Sequence, residues 1–188
     1  MENRMRQIKT SIFISLDGVV DADSDWQYAY FDEQLFEELG NDWNSSTTVL
    51  LGKNSFKGYD RLKVEHPDSP ILTYLNSVNV YVVSDDSEVA NDWPKATVIA
   101  GKDLENTILK LREADGGDIL VLGSPTLLRS LLAYGLIDDL KIMILPVIVG
   151  DGVRLFESTP SVKRLRLQMK ETRTLGSGII IVNYKPIK

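Results

Sequence analysis

The residues best suited to holding a ligand lie at two abrupt changes of character. In "ILVLGSPTLLRSLLAYG", four strand-like apolar residues, Ile119 to Leu122, give way through Gly123, Ser124, Pro125 and Thr126 to leucines at helical spacing, from Leu127 onward. "TTVLLGKNSFKG" repeats the logic: an apolar strand, Gly52, then Lys53, Asn54 and Ser55 entering a short helix. A tight strand-to-helix handover leaves the first N–H groups of the helix unpaired at its positive end. Such a place suits an anion. Two of them on neighbouring strands match the pyrophosphate and ribose phosphate of a dinucleotide, and Lys53 adds a cation where a 2′-phosphate would sit. The same residues also make ordinary turns, with Ser124 as a plain helix cap. The sequence leaves both readings open.

Other candidates for chemistry are weaker. No G-x-G-x-x-G follows a strand, and no phosphate-loop G-x-x-x-x-G-K-[ST] occurs. Asp21, Asp23 and Asp25 alternate as calcium ligands do, but a calcium loop of that type needs Gly and Glu where Trp26 and Asp32 stand. A solvated acidic loop is the expectation there, with no metal. His66 is the only histidine and there is no cysteine, which removes disulfides, thiolate metal sites and cysteine nucleophiles. Lys163, Arg164, Arg166 and Lys170 alternate with Leu165, Leu167 and Met169, as in a strand with one wet face.

The elements that must position these residues alternate between strand and helix. "IKTSIFISL" is a first strand, and Phe31, Leu35, Phe36 and Leu39 recur at helical spacing. Strands follow at Thr47–Leu51, Val78–Ser84, "ATVIA", Ile119–Leu122 and "DDLKIMILPVIVG". "DLENTILKLREADG" is a helix, and a closing hairpin turns around Gly176, Ser177 and Gly178. "YDRLKVEHPDSP" is the most linker-like stretch. The pattern implies an α/β chain forming one domain of three layers, α-β-α. Its sheet would be mixed and mostly parallel, with a C-terminal antiparallel hairpin.

Bulk properties bound the function. At 188 residues, 43% hydrophobic and 26% charged, the chain suits one ordinary globular domain. A formal charge of −6 argues against nucleic acid or acidic membrane as partner. The longest apolar runs are strand-length, and "MENRMRQIKT" has no apolar signal core, so a soluble cytoplasmic protein is expected.

"SLDGVV", "LLGKNSF", "VYVVS" and above all "ILVLGSPTLLRSLLAYGLIDDLKIMILPVIVGDGVRLFE" resemble one family. It is the riboflavin-biosynthesis reductase (RibD C-terminal domain) family of the dihydrofolate-reductase-like fold. Gly123, Ser124, Leu136, Asp138, Asp139, Leu140, Pro146, Gly150, Gly152, Leu155 and Phe156 match its pattern in order. The resemblance implies NADPH across the sheet's carboxyl edge, and hydride transfer to a small-molecule substrate of pterin, folate or ribosylamino-pyrimidine type. It places Gly52, Lys53, Asn54 and Ser55 at a phosphate-holding helix start, with lysine where the family has arginine. Ser84 falls near the adenosine ribose phosphate, and Gly123, Ser124, Pro125, Thr126 and Leu127 form the second phosphate turn. Leu16, Asp17 and Gly18 lie beside the hydride site, making Asp17 and then Asp32 the candidate catalytic groups. Each also has a structural reading, as a turn with Gly18 and as a helix start. No threonine occurs in Lys141–Leu145, which departs from true dihydrofolate reductases. The expectations are about tenfold tighter binding of NADPH than NADH and a two-fold homodimer. The alternative is a relative that binds a nucleotide or another ligand without turnover.

Overall fold

A computed structural model describes residues 4–20, 25–156 and 164–187. In chain order it runs β1 (Ile8–Ser15), α1 (Glu33–Ser45), β2 (Ser46–Gly52), α2 (Lys53–Glu65), α3 (Pro70–Ser77), β3 (Asn79–Val83) and β4 (Ala96–Ile99). Then come α4 (Leu104–Glu113), β5 (Asp118–Val121), α5 (Pro125–Ala133), β6 (Asp139–Leu145), β7 (Arg166–Thr174) and β8 (Ile180–Ile187). The strands form one sheet in the order β4-β3-β2-β5-β1-β6-β8-β7. Every pairing from β4 to β6 is parallel, while β6–β8 and β8–β7 are antiparallel. This is the mixed, mostly parallel sheet expected from the sequence.

Strand residues sort alternately onto two faces, as the period of two requires. Leu50, Ile119 and Val121 pack with Leu104 and Ile108 of α4 and the leucines of α5. Val49, Leu51, Val80 and Val82 point the other way, onto Phe56 of α2 and onto Leu72, Tyr74 and Leu75 of α3. Met143 and Leu145 meet Leu35 and Leu39 of α1 on that second face, and Trp43 touches both groups. Helices therefore cover both faces, which is why β2 and β5 carry unbroken apolar runs at Val49–Leu51 and Ile119–Val121.

Two parts of the chain differ from the sequence reading. The helix after Gly52 is not short: it runs thirteen residues and takes in most of the linker-like stretch. Buried Phe56 anchors it, with half-buried Tyr59 and Leu62 against the same cluster. A further helix, α3, starts at Pro70, where a fixed φ suits the first helical position. His66 is only the residue that ends α2. The basic strand β7 has all nine residues exposed, Leu167 and Met169 included, so both of its faces are wet rather than the one expected; its Lys170 pairs with Asp139. Lys163, Asp21 and Asp23 lie outside the described residues, and of Asp25 only the backbone, in a 3-10 turn over Asp25–Tyr30, is described.

Candidate active site at the carboxyl edge of the sheet

The parallel strands end in two groups along one edge: Gly52 is level with Val83 and Val83 with Ile99, while β1 and β6 end together at Ser15 and Leu145, β1 running five residues past its last pairing with β5 at Thr10–Val121. Topology marks both flanks of β5 on it, since β2 likewise leaves for a helix, α2, on the face opposite α5. From β1 the chain leaves for α1 on one face, and from the adjacent β5 it leaves for α5 on the other. Adjacent parallel strands whose connections diverge in this way open a crevice beyond their carboxyl ends, where open α/β sheets receive ligands. Gly123 to Leu127 stand on one side of it and Leu16 to Gly18 on the other.

The two glycine junctions are interlocked. The Gly52 N–H donates to the Gly123 carbonyl at 2.9 Å. A Cβ added at Gly52 would fall onto the Ser124 hydroxyl, and one at Gly123 would lie 2.6 Å from Ser55 Oγ. Gly123 also has φ +111°, which side chains rarely tolerate. Both glycines are thus required by the fold itself.

What the junctions leave open differs. Ser124 Oγ accepts from the Leu127 N–H at 3.4 Å, and Pro125 has no N–H to offer. Leu127 is itself a core residue, 4% exposed. Its inclusion among the ligand-binding residues is therefore corrected: its amide serves the cap and its side chain packs inward. Thr126 remains exposed at that turn. At α2, by contrast, Gly52 provides no side-chain cap, and among the described residues the amides of Lys53, Asn54 and Ser55 find no side-chain acceptor. The Asn54 side chain is exposed beside them. This donor set, amides at a positive helix end with a neighbouring ammonium, fits a pyrophosphate.

Lys53 is already engaged. Its ammonium lies 3.1 Å from Asp86 Oδ2. The Lys53 hydrogen bond, then the Glu88 N–H and the Lys53 charge, hold the Asp86 carboxyl below its ordinary range. Buried Ser84 Oγ accepts the Asp86 N–H at 3.0 Å, which fixes the turn after β3. Asp86 was missed in the sequence, although two acids directly after the strand "VYVVS" were the available signal.

On the β1 side, Asp17 is a clamp. Its carboxylate accepts from Ser15 Oγ at 2.7 Å, from the amides of Val149 at 3.0 Å and Gly150 at 2.9 Å, and pairs with Arg154 at 3.4 Å. Arg154 also donates to the Asp17 and Gly150 carbonyls. Backbone bonds from Leu16 to Val147, Val20 to Val153 and Leu155 to Gly18 close the rest of the contact. The two motifs that most resemble the family, around Asp17 and around Pro146–Leu155, are thus two sides of one zipped loop pair. The Ser15 hydroxyl, then the Val149 amide, hold the Asp17 carboxyl well below the usual carboxylate range. Both of its oxygens are taken by these donors, which leaves none for a substrate. The assignment of Asp17 as a catalytic group is corrected to a positioning one. Gly18, at φ +92°, turns the chain here, and Leu16 is 65% exposed next to the crevice.

Asp32 remains as the chemical candidate. Its Oδ1 accepts the Leu35 N–H at 2.8 Å and so caps α1, while the other oxygen has no hydrogen-bond partner among the described residues. Phe31 packs edge-on to Phe13 of β1, and the Tyr30 hydroxyl donates to the Pro146 carbonyl at 3.3 Å, which holds this helix start against the ends of β1 and β6. The structure thus joins Gly52, Ser55, Gly123 and Ser124 directly. It links Lys53 to Ser84 through Asp86, and leaves Asp17 and Asp32 on the neighbouring strand ends with no bond between them.

A mixed sheet of this order, with helices on both faces and a crevice at the β5–β1 divergence, defines a dihydrofolate-reductase-like protein. The chain belongs to the RibD C-terminal domain family, whose model matches residues 6–181. It is 27% identical over 188 residues to the uncharacterized protein YyaP of Bacillus subtilis, covering 96% of this chain and 95% of that one. Among solved structures it resembles a diaminohydroxyphosphoribosylaminopyrimidine deaminase/5-amino-6-(5-phosphoribosylamino)uracil reductase of Thermotoga maritima. The TM-score is 0.69 at 16% identity, over 98% of this chain and 57% of that one. It also resembles a dihydrofolate reductase of Enterococcus faecalis complexed with NADP(H), with TM-score 0.63 and 12% identity over 97% of both chains. The fold is shared with these two enzymes. Among the described residues, no helix is long and apolar enough to cross a membrane.

Proposed function

We propose that the protein is a reductase that takes hydride from a reduced nicotinamide dinucleotide, in the first instance NADPH. It delivers that hydride to a C=N or C=O bond of a small heterocycle of pterin, folate or ribosylamino-pyrimidine class. The observation that carries this is the uncapped start of α2, three amides and Lys53, beside a crevice formed where β5 and β1 diverge. The nicotinamide supplies the reducing chemistry; the chain supplies binding, orientation and exclusion of water. The α2 amides hold the pyrophosphate. Asp17 fixes the Val147–Gly150 wall, so the exposed Leu16 and Ile148 present an apolar rim to the rings. The unengaged oxygen of Asp32 takes a substrate N–H or passes a proton to the reduced bond. A two-fold homodimer agrees with the exposed Phe156, Leu167 and Met169.

Loss of nicotinamide absorbance, followed over a panel of pterins, dihydrofolate and ribosylamino-pyrimidines, tests the reading. Turnover of at least one substrate is expected, with kcat lowered about a hundredfold or more in Asp32→Asn. Asparagine caps a helix as well as aspartate does, so that variant separates chemistry from folding. NADPH binding with no turnover across the panel would leave the non-catalytic alternative instead.

A further inference from the structure

The sequence reading gave Lys53 to a 2′-phosphate, yet the structure gives it a carboxylate. Gly52 and Val83 are level in adjacent strands, so Lys53 and the Ser84–Asp86 turn face each other across the ends of β2 and β3. A dinucleotide whose pyrophosphate sat on the α2 amides would bring its adenosine ribose to this gap. Asp86 is not a loose neighbour there. Its N–H is held by buried Ser84, its Oδ1 takes the Glu88 N–H at 3.2 Å, and its Oδ2 takes the Lys53 ammonium at 3.1 Å. Lys57, one turn further along α2, is the other cation acting on it. The adjacent Asp85 is spent on the Gly101 N–H at 3.0 Å.

We propose that Asp86 is the specificity-determining residue of the nucleotide site: by occupying Lys53, it removes most of the preference for the 2′-phosphate of NADPH over the 2′-hydroxyl of NADH. The inference rests on the nucleotide reading above. An exposed lysine–aspartate pair is weak enough for Lys53 to swing onto a phosphate. The fixed Asp86 carboxylate then stays behind beside a phosphate of nearly two negative charges, and the attraction gained is offset by repulsion. A ribose hydroxyl meets no such repulsion and can donate to the same carboxylate, as acidic residues do for the ribose in other dinucleotide sites.

Calorimetric titration of the intact protein with NADPH and with NADH at low salt, for wild type, Asp86→Asn and Asp86→Asn combined with Lys53→Gln, decides the matter. Asparagine still accepts the Glu88 N–H, so the turn is kept. Wild type is expected to bind the two nucleotides within about threefold of each other. Asp86→Asn is expected to bind NADPH about tenfold more tightly with NADH little changed, and the second substitution to erase that gain. A wild-type protein that already prefers NADPH tenfold, with a ratio unmoved by Asp86→Asn, overturns the inference and leaves the reductase reading standing. Failure of wild type to bind either nucleotide overturns both.

Discussion

The turns after β2 and β5 share one sequence signature, an apolar strand, a glycine and a hydroxyl before a helix, and do opposite things. After β5 the hydroxyl of Ser124 and the ring of Pro125 close the helix start, and α5 is complete within the protein. After β2 no side chain closes the start of α2, and its amides remain for a ligand. Each turn also buttresses the other, Ser55 against Gly123 and Ser124 against Gly52. A hydroxyl near a helix start is therefore ambiguous by itself: Ser124 acts on its own helix, whereas Ser55 packs against a neighbouring strand end. The turn after β1 extends the contrast. There the Asp17 carboxylate takes Ser15, Arg154 and two amides from a segment 132 and 133 residues away in sequence.

The sharpest break of this comparison is Gly123→Val. With φ +111° and Ser55 Oγ where the side chain must go, the substitution is expected to cost about 3 kcal/mol or more in chemical denaturation, with no nucleotide present. A variant of wild-type stability would mean that the turn is free to relax and that the glycine serves a ligand after all.

Next in size is Asp17→Asn, which removes the charge from the clamp while keeping its shape. Because the folded carboxyl lies below its ordinary range, the charged form adds stability above the unfolded pKa, about 3.9. That stability is lost as pH falls through the lowered folded value. The variant should melt several degrees below wild type at pH 7, and the gap should narrow as pH drops below about 4. A gap independent of pH would show that packing of the loop pair, rather than the Asp17 charge, holds it.

Smallest is Ser124→Ala. The α5 leucines Leu127, Leu128, Leu131 and Leu132 are all at most 5% exposed, and burial of each is worth roughly 1.5–3 kcal/mol. A cap worth about 1 kcal/mol is minor beside them. The variant should fold, lose about that much stability, and bind NADPH as wild type does. A tenfold loss of affinity would make the second junction a phosphate site equal to the first.

Much of this was legible in the sequence because it is local. The alternation of apolar strands with helical spacing is a property of each short segment, and so is the glycine that must begin each turn. The parallel core and the hairpin follow from those periods. The length of α2 was not legible: its residues from Tyr59 to Glu65 read as linker until Phe56, Tyr59 and Leu62 are seen packing on β2 and β3. Nor were the roles of the charged site residues. Lys53 is far along the chain from Ser84 and Asp86, as Asp17 is from Val149 and Arg154, and they meet only because β2 lies beside β3 and β1 beside β6. The sequence by itself determined which residue types stand at the strand ends, because strand and turn propensities act over a few residues. Only the tertiary structure decided which of them are already satisfied by one another, because a hydrogen bond or ion pair depends on distances that strand order alone sets.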